Sequence, residues 1–271
     1  MTSSSTSFKG TALITGASAG IGAVYADRLA KRGYDLILVA RNAERLKSLA
    51  SRLAAQTGRS VKTIAADLND KAGLSEIESV LREDGSITLL VNNAGVGSVA
   101  SLLDSNIDEM EAMIYLNITA LTRLTYAVAP AFAARASGTI INISSAVGIA
   151  VEALNGVYSA SKSYVLSFGH ALQRDLADKG VRIQTVLPAA TATDFWDVAG
   201  YAKQKEAAST MTAEDLVDAA LAGLDQGEKV TIPTLHDGED WTRWEAERRA
   251  LAPKFANAKP APRYGISDNK A

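Results

Sequence analysis

Apolar residues recur along this chain in two alternating rhythms. Short runs rich in Val, Ile and Leu, bounded by Gly, Asn, Asp or Ser, fall at 11–15, 35–40, 61–66, 87–92, 138–144, 182–187 and 229–233, and each reads as a buried strand. Between them the stretches 21–32, 43–56, 71–82, 107–134, 158–178 and 213–225 carry apolar positions at helical spacing. Strands that alternate with helices in this way predict an α/β fold, a doubly wound seven-stranded parallel sheet with helices on both faces. The segment 190–211 breaks the rhythm. It is too polar and too rich in Ala, Thr and Lys for a strand, it follows a strand end, and it is expected to form a lid. Residues 237–247, with Trp241 and Trp244 among acids, are expected to form a last helix. The organisation expected is a disordered leader at 1–8, a single domain at 9–258 and a polar tail at 259–271, without internal repeats or an interdomain linker.

Composition narrows the chemistry. With 47% hydrophobic and 21% charged residues in 271, the chain can bury one sizeable core. It has no Cys and only His170 and His236, so neither a disulfide framework nor a metal centre is expected. The net charge is −2 and Lys and Arg do not cluster, which argues against nucleic acid or an anionic membrane surface as partner and favours a small neutral or weakly acidic ligand. The Ser/Thr-rich start lacks a basic stretch followed by an apolar one, and no uncharged run is long enough to span a bilayer, so a soluble, cytoplasmic location is the expectation.

The first strand runs into Thr15-Gly16-Ala17-Ser18-Ala19-Gly20-Ile21-Gly22. Gly16 permits a tight turn, Gly20 lets backbone approach a pyrophosphate, and Gly22 lets the following helix lie close on the sheet, aiming its free N–H groups and positive dipole end at phosphate. Alone, such a loop is equally an ordinary glycine-rich strand-to-helix turn. The spacing resembles the Thr-Gly-xxx-Gly-x-Gly of the short-chain dehydrogenase/reductase family, and further matches follow in that family's order. They are Asn92-Asn93-Ala94-Gly95 after the fourth strand, Asp67 after the third, Asn117 in the long helix, Ser145 after the fifth strand and Tyr158-Ser159-Ala160-Ser161-Lys162. The resemblance covers roughly 8–235. It implies a Rossmann-type domain and an oxidoreductase passing hydride between a nicotinamide and a carbonyl or alcohol carbon.

The end of the second strand bears on which dinucleotide fits, because a carboxylate there accepts from a ribose 2′-OH and repels a 2′-phosphate. Here the chain reads Ala40-Arg41, with no acid and with a guanidinium able to clamp a phosphate, although a charge at a helix start can also be simply solvated. NADP(H) is therefore expected. Ser18 can add a hydroxyl to the same phosphate. By resemblance Asp67 and Leu68 flank the adenine, and Asn93, Ala94 and Gly95 lie beside the cofactor.

Tyr158 and Lys162 are four apart on an expected helix, hence on one face. A phenol, ordinarily near pKa 10, exchanges protons at working pH only with a cation to stabilise its anion, and Lys162 is expected to lower it. Tyr201 and Lys205 share the spacing but sit in the polar lid without a strand-end serine upstream. Ser144 and Ser145 are adjacent, so only one can face the site, and register favours Ser145. Either hydroxyl could instead serve a turn. The resemblance implies that Ser145 orients the substrate oxygen, Tyr158 exchanges the proton, Lys162 also contacts the nicotinamide ribose, and Asn117 holds a water that links Lys162 to solvent. A buried Asn in an apolar helix is otherwise a core amide in need of partners.

After the sixth strand the family has Pro-Gly with a threonine four residues beyond the glycine. This chain has Pro188-Ala189 followed by Thr193, so Pro188 and Thr193 match cofactor-contacting positions while Ala189 restricts the backbone. Residues 146–155, including Val147, and Phe195 and Trp196 are expected to line an apolar substrate pocket; the competing reading has the lid's aromatics folding onto the protein's own core. The function expected is NADP(H)-dependent reduction of a small hydrophobic ketone or aldehyde, reversible to the alcohol. A 3-ketoacyl-thioester reductase is the alternative, and a non-catalytic dinucleotide-binding regulator a third reading. By resemblance the helices at 107–134 and 158–178 build a homodimer or homotetramer.

Overall fold

Seven runs of β-branched and leucine residues form one parallel sheet in the computed structural model, which describes residues 8–266. The elements in order are β1 (Thr11–Thr15), α1 (Gly20–Lys31), β2 (Asp35–Ala40), α2 (Ala43–Thr57), β3 (Val61–Ala65), α3 (Lys71–Glu83), β4 (Ile87–Asn92) and α4 (Ile107–Ile114). After a π-helical turn at Tyr115–Ala120 come α5 (Leu121–Ala134), β5 (Gly138–Ile143), α6 (Gly156–Leu176), β6 (Val181–Val186), α7 (Phe195–Val198), α8 (Ala213–Asp225), β7 (Val230–Thr231) and α9 (Gly238–Leu251). The strands lie side by side in the order β3-β2-β1-β4-β5-β6-β7, so the chain reverses its direction of winding between β1 and β4. That reversal opens a crevice at the carboxyl ends of these two strands.

Period-2 alternation along each strand fills both faces. Ala12, Ile14, Leu36, Leu38, Leu89 and Val91 pack against α1, α2 and α8, while Leu13, Ile37, Val39, Leu90 and Ile140 pack against α3, α5 and α6. Phe132 of α5 is fully buried on the second face, where truncation to Ala would cost about 3–5 kcal/mol.

Side-chain caps set where most helices begin. Asn42, Asp70, Asn106, Asn155 and Thr212 accept backbone N–H groups at the starts of α2, α3, α4, α6 and α8. Ala19 precedes α1 and supplies no side-chain cap, which leaves the first N–H groups of that helix available to an anion.

Three expectations need correction. The helix expected over 107–134 is broken by the π-helical turn, where the buried amide of Asn117 exchanges hydrogen bonds with the backbone of Val96. The last strand is two residues long instead of five, pairing only with Thr185 and Val186 at the sheet edge, where Pro233 has no N–H to offer. The described chain also divides into compact units after Thr234, ahead of the 258/259 boundary expected from composition. In the second unit Asp237 caps α9, Trp241 and Trp244 stack with centroids 4.9 Å apart, and short 3₁₀ turns follow at Ala252–Phe255 and Pro262–Tyr264. Residues 1–7 of the expected leader and 267–271 of the expected tail lie outside the described residues. Among the described residues no helix is long and apolar enough to cross a membrane.

Candidate active site

The loop between β1 and α1 is shaped by glycines that no other residue replaces without strain. Gly16 has φ +65° and Gly20 φ +52°, both in the left-handed region. A Cβ on Gly22 would lie 2.3 Å from the carbonyl oxygen of Gly16, so the start of α1 is pressed against the turn. Ile21 beside it packs on the core. Across the crevice, the Asn93 amide donates to the carbonyls of Thr15 (2.9 Å) and Gly16 (3.2 Å), while the Thr15 hydroxyl accepts from the N–H groups of Asn93 and Ala94 (3.0 Å each). The ends of β1 and β4 are thereby locked together, with the uncapped α1 terminus facing the space above them. Glycines that a Cβ would jam and free N–H groups fit a dinucleotide pyrophosphate.

At the end of β2, Ala40 leaves no carboxylate, and Arg41 is exposed and forms no ion pair among the described residues. Ser18 is half-buried with its hydroxyl unengaged among them. Asp67 is exposed and accepts the N–H of Asn69 (2.9 Å), while the Leu68 side chain turns into the core, so only its backbone can serve a ligand.

Beyond β5 the two serines diverge. The Ser144 hydroxyl donates to the Lys162 carbonyl (2.7 Å) and is used up in tying β5 to α6. Ser145 donates to the Pro188 carbonyl (3.2 Å), accepts from the Val147 N–H (3.3 Å) and hydrogen-bonds Tyr158. Tyr158 and Lys162 are each 6% exposed on one face of α6, the ammonium 5.7 Å from the phenol ring centroid and donating to the Ile143 carbonyl (3.0 Å). A Cβ on Gly95 would sit 3.0 Å from Asn117 Oδ1 and 3.5 Å from Lys162 Nζ, so this glycine lets both approach the end of β4. Asn117, 2% exposed, also donates to Ser161 Oγ (3.0 Å), which in turn donates to the Tyr158 carbonyl (2.7 Å). One connected set of Ser145, Tyr158, Lys162, Ser161 and Asn117 results.

Its electrostatics depart from expectation. Burial pushes the Tyr158 phenol up to about 12 against the lowering effect of the Ser145 hydrogen bond, and burial pushes the Lys162 ammonium down to about 8. The lysine does not bring the phenol below its ordinary value, because removing both groups from water outweighs their attraction at this separation. At neutral pH the pair holds a neutral phenol and an ammonium.

Apolar groups wall the space around Tyr158. Met110, Met113 and Val147 form a small cluster with it, joined by Val96, Leu154, Val157 and Phe195. The Phe195 ring lies 5.5 Å from that of Tyr158, and a Cβ on Gly97 would collide with it at 2.3 Å. Trp196 does not line this space. Its indole N–H donates to the Thr191 carbonyl (2.8 Å) and the side chain is 7% exposed, so it anchors the 190–211 segment internally, as the competing reading had it.

Residues 10–204 match the model of the short chain dehydrogenase family. The chain belongs to this family. It is thus an oxidoreductase of a family that uses a nicotinamide cofactor. Among solved structures, it is similar to a short-chain dehydrogenase from Sphingobium yanoikuyae in complex with NADPH, with 44% identity, a TM-score of 0.91 and coverage of 94% of this chain and 100% of that one. A bulky-bulky ketone specific alcohol dehydrogenase from Comamonas testosteroni follows at 43% identity and a TM-score of 0.88, covering 95% and 99%. Human 17-beta-hydroxysteroid dehydrogenase type 3 is 39% identical over 186 residues, which span 67% of this chain and 59% of that protein.

Within this short-chain dehydrogenase, Ala189 departs from the usual glycine without penalty: among the described residues Ala136 is the one non-glycine with positive φ, so Ala189 is not forced into a left-handed conformation. Several residues play a part in the site that the sequence reading does not give them. Asn155 caps α6 by accepting from the N–H groups of Val157 and Tyr158, and its amide donates to the Ala100 carbonyl (2.6 Å), fixing where the Tyr158 turn begins. Its signal in the sequence is an N-cap residue three positions before Tyr158. The roles of Thr15 and Ser161 had no signal outside the fold, since both act through contacts distant in sequence.

Proposed function

We propose that this short-chain dehydrogenase uses NADP(H) to reduce a hydrophobic ketone or aldehyde to the alcohol, with Tyr158 as proton donor. The observation that carries the reading is the convergence of Ser145, Tyr158 and Lys162 beside an apolar wall. Arg41, without an ion pair among the described residues and at a strand end that carries no carboxylate, supports the 2′-phosphorylated dinucleotide, with Ser18 as a second donor to that phosphate. The NADPH complex of the Sphingobium relative agrees with that choice.

When bound, the cofactor supplies or accepts hydride. The protein's own residues manage the oxygen. With substrate present the Ser145 hydroxyl turns from the Pro188 carbonyl to donate to the substrate carbonyl and orients it. Tyr158, a neutral phenol at pH 7, is hydrogen-bonded to Ser145 and gives its proton as negative charge builds on that oxygen. Lys162, charged below about pH 8, stabilises the phenolate left behind and holds the ribose side of the cofactor. Asn117, seated in the π-helical turn, orders the route by which the proton is replaced. Pro188 and Thr193, on the segment after β6, would hold the nicotinamide side, and the backbone at Asp67, Leu68, Asn93, Ala94 and Gly95 would hold the rest of the dinucleotide.

Val147 and Phe195 both belong to the substrate wall, and the apolar cluster favours substrates with bulk rather than charge next to the carbonyl. The name of the Comamonas relative, a bulky-bulky ketone specific enzyme, points the same way. We take the working form to be a cytoplasmic homodimer or homotetramer, supported by the exposed Tyr126 stacked on Phe168 along the two long helices. The test is oxidation of NADPH followed at 340 nm against aryl, alkyl and cyclic ketones and a 3-ketoacyl thioester, with NADH as control. Turnover of bulky ketones with NADPH is expected. Preference for NADH overturns the role of Arg41, and turnover confined to the thioester replaces the ketone reading with the acyl one.

A further inference from the structure

The 190–211 segment reaches back over the glycine loop and is fastened on its far side. Thr193 sits directly above the loop, since a Cβ on Gly20 would lie 3.0 and 3.1 Å from its side-chain carbons. The next residue, Asp194, stands at the start of α7 but makes no cap there. One carboxylate oxygen instead accepts from Arg45 Nη1 (3.2 Å) and the other from Lys205 Nζ (3.1 Å), and Lys205 also pairs closely with Asp197. Arg45 belongs to the first turn of α2, where its N–H is held by Asn42. In the sheet, β2 and β6 are separated by β1, β4 and β5, so the Arg45–Asp194 pair joins the segment after β6 to the helix after β2 across the ends of the strands between them. A ligand extending from Arg41 to Ser145 along those strand ends lies under this bridge.

We propose that Arg45 and Asp194 form a clasp over the dinucleotide, which makes Asp194 a positioning residue that keeps Thr193 on the glycine loop and sets the residence time of the cofactor. Both side chains are more than half exposed (58% and 56%), so the pair is individually weak and opens readily, as a clasp on a cofactor that must exchange each turnover has to. Lys205 braces the same carboxylate from within the segment. The inference rests on the dinucleotide reading above.

The experiment is stopped-flow displacement of bound NADPH, and separately of NADH, from the full-length protein, read by cofactor fluorescence. Asp194→Asn and Arg45→Met are each expected to speed dissociation of both dinucleotides by about two- to five-fold, and high salt should abolish the difference from wild type. The double reversal Arg45→Asp with Asp194→Arg should restore slow release, which a merely misfolded variant cannot do. Unchanged release in Asp194→Asn overturns the clasp. An effect of Arg45→Met on NADPH alone also overturns it, assigning Arg45 to the 2′-phosphate instead. If the wild type binds neither dinucleotide, the cofactor reading falls first and the clasp with it.

Discussion

Two Tyr-xxx-Lys pairs occur in this chain, and their fates could hardly differ more. Tyr158 and Lys162 lie on α6 inside the protein, the lysine desolvated and, among the described residues, without a carboxylate partner. Tyr201 is half exposed, and Lys205, in the same spacing, is neutralised by Asp194 and Asp197, which hold its ammonium above the ordinary lysine value. Spacing alone therefore makes no acid–base pair. What distinguishes the first is burial beside a serine hydroxyl and an amide network; what distinguishes the second is a surface where two acids compete for the cation. The first pair is tuned for proton exchange and the second for holding a loop in place.

The sharpest way to break the comparison is to remove each hydroxyl. Tyr158→Phe should lower kcat for ketone reduction by about 10²- to 10⁴-fold, while Tyr201→Phe should stay within about twofold of wild type in the same assay. A comparable loss in both would show that burial is not the deciding difference.

Next come the lysines. Lys162→Met should reduce kcat by about 10²-fold or more yet raise thermal stability, by about 1–3 kcal/mol at pH 7, because a buried ammonium held down to about 8 opposes folding. Lys205→Met should leave kcat within about twofold and loosen only cofactor retention. Calorimetry with steady-state kinetics on both variants separates the outcomes; a Lys162→Met protein that melts earlier than wild type contradicts the desolvation account.

The smallest effects are in pH. The unfolded chain, with lysine near 10.5, binds more protons than the folded one between about 8 and 10.5, so the Lys162 contribution makes stability rise with pH across that window. The reduction rate should run the other way, flat below about pH 8 and falling above it as Lys162 loses its charge while Tyr158 stays a phenol. Alcohol oxidation, which needs the phenolate, should climb with pH. A reduction profile without a break near 8 would detach Lys162 from the proton transfer.

Much of the fold was readable along the chain because each strand and helix states its own period. Five of the seven strands, at Thr11–Thr15, Asp35–Ala40, Ile87–Asn92 and, but for one residue each, Val61–Ala65 and Gly138–Ile143, fall where alternation and turn residues put them. The exceptions are places where distant contacts override local pattern. Within the π-helical turn Asn117 bonds Val96, a pairing that no periodicity within 107–134 announces. Trp196, expected in the pocket, instead donates its indole N–H to the Thr191 carbonyl.

The sequence by itself determined the sheet, the glycine turn, the missing carboxylate at Ala40 and the types of residue that do chemistry, since all of these are local statements about backbone freedom, hydrophobic period and side-chain charge. Only the tertiary structure decided which serine meets Tyr158, that burial and not Lys162 governs the phenol, and that Arg45 and Asp194 meet across the crevice. Those outcomes depend on desolvation and on distances between residues far apart in the chain, and neither quantity exists until the chain has folded.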